Sequence, residues 1–311
     1  KKGKKFKEIK KKIKLKMKCP NCNFINEKYF YKYQNYNINN YDLRCTSLQY
    51  QKPNLIKCKK CNLIFSELHN IQFEKLYGDV IDEQYIQAIE FKKNYFENTF
   101  KKIKKYLNKS TEVLEIGSYY GVFGSIINPE VKKYNGIELS GHAVEFAKKK
   151  YSLNVESKSI DQYLETTQHL DVVIMSHVIE HLDHPFEDLK KIRDKMTKKS
   201  IFIFSTYNMD SLIAKVLGKH YHWIMPMHKF YFTKSFLKKF MENNGLELVE
   251  TISDTHTTSL KYFFTKVKVF LPFLGFVLGP LSNVKFFNKI FFKINLGDLD
   301  LYVVKKNDST I

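Results

Sequence analysis

Past residue 61 this 311-residue chain has no cysteine, tryptophan occurs once, and no apolar run reaches the roughly 18 residues that a membrane-spanning helix needs. The lack of such a run argues against a spanning helix. The apolar residues near the N-terminus stand singly between lysines, so no signal-peptide core is read there, and a cytoplasmic location is the expectation. No Gly-x-x-x-x-Gly-Lys run occurs, which removes the P-loop class of nucleotide sites. Acidic residues are scarce beside basic ones, 32 against 52, leaving a formal charge of +20.

That charge invites a nucleic-acid reading, but its distribution weakens it. Residues 1–18 hold eleven lysines and one glutamate, about half of the net charge, and such a block repels itself into a disordered tail. Met17-Lys18-Cys19-Pro20 would make a natural start, so residues 1–16 are expected to be upstream sequence foreign to the natural protein. Mass spectrometry of the natural N-terminus would decide it. The remaining lysines mix with Asn, Ile, Tyr and Phe as a compositional bias, and nucleic acid is not the expected partner. With 43% hydrophobic and 15% aromatic residues, the chain can build one large core, or one core and a small satellite.

The five cysteines are all early. Four make two knuckles, Cys19-Pro-Asn-Cys22 and Cys58-Lys-Lys-Cys61, and two such turns can close a tetrahedral thiolate site around Zn²⁺. In an intracellular chain metal is favoured over disulfides, with redox-active pairs as the alternative. The 35 residues between the knuckles predict a β-hairpin with a long excursion, with Tyr29–Tyr33 as one strand and Cys45 as a spare thiol. A closed four-thiolate site offers no open coordination position and is read as structural. Residues 19–70 are therefore the zinc ribbon.

Residues 71–110 read as a helical linker, with Ile86, Ile89, Phe96, Phe100 and Ile103 near helical steps. From 111 to 306 strands and helices alternate. The strand candidates are Val113–Ile116, Tyr134–Leu139, Leu153–Glu156, Val172–Ser176, Ile201–Ser205, Leu246–Glu250 and Leu299–Val304. Ser140, Pro185 and Thr233 mark helix starts and Gly245 a helix end. This pattern predicts an α/β fold with a mainly parallel, doubly wound sheet of seven strands, which binds ligands at its carboxyl edge. The first strand runs into Gly117-Ser-Tyr-Tyr-Gly121, where glycine lets the backbone turn sharply and approach a ligand. Glu138 ends the second strand, placed to accept hydrogen bonds from two ribose hydroxyls.

With these features the chain resembles a class I S-adenosylmethionine-dependent methyltransferase of the small-molecule type that carries an N-terminal zinc ribbon. Glu115-Ile-Gly-Ser-Tyr-Tyr-Gly121 matches the family's first motif, departing from it at Tyr119, and Gly136-Ile-Glu-Leu-Ser140 matches the second. Asp171 through His177-Val-Ile-Glu-His181 matches the fourth-strand motif, and Met227–Thr233 with Asn244-Gly245 matches a later segment. The resemblance runs from residue 19 to about 306 and implies a Rossmann-like methyltransferase sheet with S-adenosylmethionine as cofactor. Its implied contacts are Glu115, Ile116, Gly117, Ser118, Tyr119, Tyr120, Gly121 and Phe123 at the first turn. Glu138 and Leu139 follow on the second strand, Ser159 and Ile160 beside adenine (or Asp161 as the acid there), and Ser176, His177 and Val178 on the crevice floor.

The segment His220–His228 is implied to lie over the acceptor pocket. His228 or His222 is the expected general base, with His181 in support and Tyr221 and Trp223 shaping the pocket. A metal among these histidines stays open as an alternative, although no helix-spaced carboxylate joins them. The Ser176–His181 run replaces the Asn/Asp-Pro-Pro-aromatic run of enzymes that methylate base amines. Zinc-ribbon relatives point instead to a small-molecule acceptor, a sugar or a lipid-linked polysaccharide precursor, and the short C-terminus favours oxygen over carbon. The apolar stretch 269–281, within a 257–295 insertion, is either a lid or a peripheral membrane contact reaching to 292. An RNA-modifying enzyme and a non-catalytic module that has lost its cofactor remain as rival readings. The sequence leaves the oligomeric state open.

Overall fold

The computed structural model describes residues 16–33, 44, 46, 51–78, 80–260, 264, 280, 284, 286 and 290–307. The tail through residue 15, Cys45 and nearly all of the apolar stretch 269–281 lie outside the described residues. No helix among the described residues is long and apolar enough to cross a membrane.

Four short strands form around the two cysteine knuckles: β1 (Met17–Lys18), β2 (Ile25–Asn26), β3 (Leu55–Lys57) and β4 (Ile64–Ser66). Each knuckle turns at an asparagine with positive φ, Asn23 at 61° and Asn62 at 64°. These bond back in the same way, Asn23 N–H to the Cys19 carbonyl and Asn62 N–H to the Cys58 carbonyl, both 2.9 Å. The expected strand at Tyr29–Tyr33 does not form. Tyr31 makes only an isolated bridge to Leu55.

Residues 71–110 are not one linker helix but α1 (Glu74–Tyr77), α2 (Glu83–Gln87) and α3 (Ile89–Ile103). The breaks follow from capping. Asp183 accepts from the Phe73 and Glu74 amides at the head of α1, and the Asp82 side chain accepts from Tyr85 N–H at the head of α2.

The seven expected strands are all present in one sheet: β5 (Glu112–Ile116), β6 (Lys133–Glu138), β7 (Val155–Ser157), β8 (Leu170–Ser176), β9 (Met196–Tyr207), β11 (Leu246–Ser253) and β14 (Leu299–Lys306). Their order is β11-β14-β9-β8-β5-β6-β7, parallel except for β14, which runs antiparallel to both neighbours. After β7 the chain returns to the other side of β5, so the topological switch lies between β5 and β8, where ligands of doubly wound sheets bind.

Side chains alternate between the two faces, as strands require. Val172, Ile174, Ile201 and Ile203 pack with Phe100, Ile103, Phe123 and Ala147 of α3, α4 (Val122–Ile127) and α5 (Gly141–Tyr151). Val173, Met175, Phe202 and Phe204 pack with Leu189 and Ile192 of α7 (Pro185–Lys195) and with Phe236 and Phe240 of α9 (Lys234–Glu242). Two smaller helices, α6 (Ile160–Glu165) and α8 (Leu212–Leu217), complete the α-helices named among the described residues, and a two-stranded ribbon of β12 (His256–Ser259) and β13 (Phe291–Ile294) precedes β14. Ser140 and Thr233 cap α5 and α9 through their hydroxyls as their positions predicted.

The cysteine ribbon is not a satellite. The strand β10 (Phe230–Tyr231), which follows the His220–His228 segment, pairs antiparallel with β4 and puts Phe230 opposite Phe65. Cys19, Ile56, Cys58 and Phe65 join the same buried cluster as Phe186, Phe202 and Phe236. Fully buried Lys229 pairs with Asp183 and so ties this segment to α1.

Candidate functional site

At the carboxyl end of β5 the chain turns through Gly117 (φ 72°), Tyr119 (φ 47°) and Gly121 (φ 73°) into α4. A Cβ at Gly117 would sit 2.5 Å from Val178 Cγ2, and one at Gly121 would sit 2.7 Å from Ala147 Cβ. Both glycines are therefore required by left-handed backbone and by close packing, at Gly121 against α5. Glu138, at the end of β6, accepts from Tyr119 N–H at 3.0 Å and from Ser140 N–H at 2.9 Å. Burial pushes its carboxyl up, and those backbone donors only partly draw it back. Its carboxylate is thus fixed beside the turn.

Several residues expected to contact the cofactor have side chains packed in the core. Phe123 is buried and stacks on Phe96 of α3 at 4.8 Å. Ile116 packs within the sheet core. Tyr120 is fully buried, stacked on Tyr85, and its hydroxyl accepts from Asp82 N–H at 2.9 Å. Glu115 is 2% exposed and receives the Tyr134 hydroxyl, and burial pushes its carboxyl up to about 8. The Tyr119 ring turns to Tyr85 and Asp82, its hydroxyl donating to Asp82 at 3.2 Å. Leu139 is half-buried at the β6 exit. Ser159 caps α6 in a capping box with Gln162, Ile160 is buried behind it, and Asp161 is paired with Lys191. Ser118 Oγ is buried without a hydrogen-bond partner.

Beside the turn, β8 ends in Ser176 and in His177, whose φ is 54°. Ser205 fixes this exit, its hydroxyl accepting from His177 N–H at 3.1 Å and lying 3.4 Å from Ser176 Oγ. Residues that the sequence reading missed surround the ring. Tyr95 of α3 bonds His177 Nε2 at 2.9 Å and donates to Asp254, which Thr99 and Lys102 also hold. Tyr207 at the end of β9 lies 5.1 Å from the His177 ring and stacks on Trp223 at 4.1 Å. Tyr95 does stand on the apolar side of a helical pattern, but nothing local says that this side meets the β8 exit.

His181 and His228 face each other, ring centroids 4.7 Å apart, with Glu180 beside them. The carboxylate reaches His228 through the fold and not by helix spacing. Glu180 is 1% exposed, and Thr206 donates to one of its oxygens at 3.1 Å. Burial alone would raise this carboxyl, but the three surrounding imidazoles bring it down to about 2. Burial holds His228 down to about 3 with Nδ1 donating to the Trp223 carbonyl, so the ring is a poor proton acceptor in the role of general base. Tyr221 is likewise committed: it is fully buried and donates to Asp298 at 2.6 Å. His222 packs beside Tyr221 and Trp223 and is not part of the Glu180 group.

The four cysteines converge. Cys19 and Cys61 sulfurs are 3.6 Å apart, Cys22 and Cys58 sulfurs 3.5 Å, and all four lie within 4.8 Å of one another. A tetrahedron with Zn–S bonds of about 2.3 Å has edges of about 3.8 Å, so the donor set and its spacing fit a zinc ion.

The sequence profile described as "Methyltransferase domain" matches residues 89–251. No curated protein matches the chain. Among solved structures, a SAM-dependent methyltransferase from Archaeoglobus fulgidus is 22% identical, with TM-score 0.49, over 72% of this chain and 100% of its own. The YcgJ protein of Bacillus subtilis is 10% identical with TM-score 0.50, over 70% and 99%. Magnesium protoporphyrin IX methyltransferase from Synechocystis, solved with bound SAH, is 12% identical with TM-score 0.45, over 78% and 97%. Of these likenesses only that to YcgJ bears on the fold, and at 10% identity on the fold alone.

Proposed function

The chain belongs to the methyltransferase-domain family and is an S-adenosylmethionine-dependent enzyme, and from that premise we propose that it methylates an oxygen of a small-molecule acceptor, a sugar or a lipid-linked polysaccharide precursor. One observation carries the site assignment. The glycine turn, the fixed carboxylate of Glu138 and the strained His177 meet at the carboxyl edge of β5, β6 and β8. That donor set suits a ribose and an amino-acid group and includes no phosphate-binding lysine. Glu138 would hold the ribose hydroxyls, the Gly117–Gly121 backbone the amino-acid end, and Ser176–Val178 the floor.

The cofactor supplies an electrophilic methyl on a sulfonium, and in-line positioning of the acceptor provides most of the acceleration. The acceptor side is assigned to the space bounded by Tyr95, His177, Tyr207 and Trp223. Aromatic faces beside hydroxyl and imidazole groups suit the mixed apolar and hydroxylated surface of a sugar. The four thiolates hold a structural zinc that takes no part in the reaction.

Calorimetry with S-adenosylmethionine tests the first half, with one cofactor bound per chain as the expected result. No binding at millimolar cofactor would overturn it in favour of a non-catalytic module. Radiolabelled methyl transfer to a panel of nucleotide-linked and lipid-linked sugars tests the second half. Label found only on RNA would replace the sugar reading, and label on a nitrogen would replace the oxygen one.

A further inference from the structure

We propose that Glu180, His181 and His228 form a divalent-cation site at the acceptor end of the crevice. One carboxylate oxygen and one nitrogen from each ring lie within 4.8 Å of one another. The pattern of hydrogen bonds around them points to a ligand. Glu180 is almost wholly buried, Thr206 serves one of its oxygens, and Oε1 has no hydrogen-bond partner. A buried carboxylate oxygen left in this way is costly unless a cation completes it.

The hydrogen bonds of the two imidazoles set the tautomer that metal ligands have. Nδ1 of His228 lies 2.8 Å from the Trp223 carbonyl, and Nδ1 of His181 lies 3.1 Å from the Met227 carbonyl. A carbonyl only accepts, so Nδ1 carries the proton in both rings and Nε2 keeps its lone pair. A ligating histidine commonly gives its other N–H to a backbone carbonyl in this way, which fixes tautomer and ring direction. Tyr77 adds a third restraint, its hydroxyl 3.2 Å from His181 Nδ1. The Glu180 carbonyl also accepts from the Lys229 and Phe230 amides at 2.8 and 3.2 Å, so the strand after His228 is fastened to the residue it would ligate beside.

Two imidazole nitrogens and one carboxylate oxygen suit Zn²⁺, Mn²⁺, Fe²⁺ or Co²⁺ better than Ca²⁺ or Mg²⁺. Three protein ligands leave positions open, which distinguishes this site from the closed cysteine site. The role rests on the reading of an oxygen acceptor given above. A hydroxyl bound to the ion would lose its proton to water more readily. Its oxygen pair would then form the bond to the methyl carbon, and the carbon–sulfur pair would return to sulfur. His177 Nδ1, 3.8 Å from Glu180 Oε1 and itself without a partner, is the competing explanation, because a protonated ring there could neutralise the carboxylate.

The test uses the full, zinc-loaded chain and Mn²⁺ alone, since manganese avoids the thiolate site. The expected result is one Mn²⁺ per chain by electron paramagnetic resonance. Its affinity should fall at least about 100-fold in Glu180→Gln and in His228→Ala, more than the loss of an outer-sphere partner gives. Cofactor affinity within about threefold of wild type shows that the variants fold. If they do not fold, spin-echo modulation of Mn²⁺ in the wild-type chain must report imidazole nitrogen. No bound Mn²⁺, binding that survives both variants, or a spectrum without nitrogen coupling would each overturn the site. All these readouts omit the acceptor, so their failure leaves the methyl-acceptor reading standing.

Discussion

Tyr119 holds φ at 47° between two glycines at 72° and 73°, a conformation that costs a residue with a Cβ about 1–2 kcal/mol. Its ring recovers that cost away from the crevice, on Tyr85 and Asp82. Tyr119→Gly should therefore relax the backbone, leave the amide that donates to Glu138 in place, and keep cofactor affinity within about threefold. Gly117→Ala meets both the positive φ and Val178 at 2.5 Å, and calorimetry should find cofactor binding weakened more than about tenfold. Glu115 gives a separate prediction about pH. Its carboxyl is raised to about 8 by burial, so the folded state holds the proton more tightly than the unfolded chain. Its contribution is complete below about pH 4.5 and is lost as pH rises toward 8. Asp188, raised to about 7, titrates in the same window, so the informative quantity is a difference between two proteins. In thermal melts Glu115→Gln should gain on wild type from pH 5 to pH 9, on the order of a few kcal/mol, while still accepting from Tyr134. An unchanged difference across that range would contradict the assignment.

At the scale of elements, α2 acts as a clasp on the Gly117–Gly121 turn. Asp82 caps it, receives the Tyr119 hydroxyl and Thr46, and donates its own N–H to Tyr120. Asp82→Ala removes the cap and these side-chain contacts together, and a lost cap costs about 1 kcal/mol. Hydrogen exchange should find α2 unprotected, with cofactor affinity falling about fivefold. This clasp was hidden in the sequence for a physical reason. Strand periodicity, the caps at Ser140 and Thr233 and the two cysteine knuckles are local patterns, and each formed where its residues stand. Asp82 has the local look of a cap, but its meeting with Tyr119 and Tyr120 depends on how α2 folds back over β5. The same holds for Tyr95 and Tyr207, brought to His177 from α3 and β9. His181 and Glu180 were legible within one motif, whereas His228 reaches them only because β10 is pinned to β4.

Over the whole molecule, that pinning makes the cysteine ribbon part of the enzyme's core. Cys19, Cys58 and Phe65 share one buried cluster with the α7 and α9 face of the sheet, and β10 completes the ribbon's own sheet. Tyr33 and Lys52 bind the carbonyls of Lys219 and Tyr221 from the ribbon side, at 2.6 and 2.7 Å. A domain joined only by a linker would melt by itself when its metal is removed. Here a metal held by the four thiolates would stabilise the common core, because it would bind only the folded ribbon. Calorimetric unfolding with a strong chelator should therefore give one cooperative transition, shifted down as a whole by about 10 °C or more. The amides of Lys229 and Phe230 should lose exchange protection before those of β5 and β6. Two separate transitions, with the upper one unmoved, would mean that the ribbon is a passive appendage. It would then also have no part in holding His228 against Glu180.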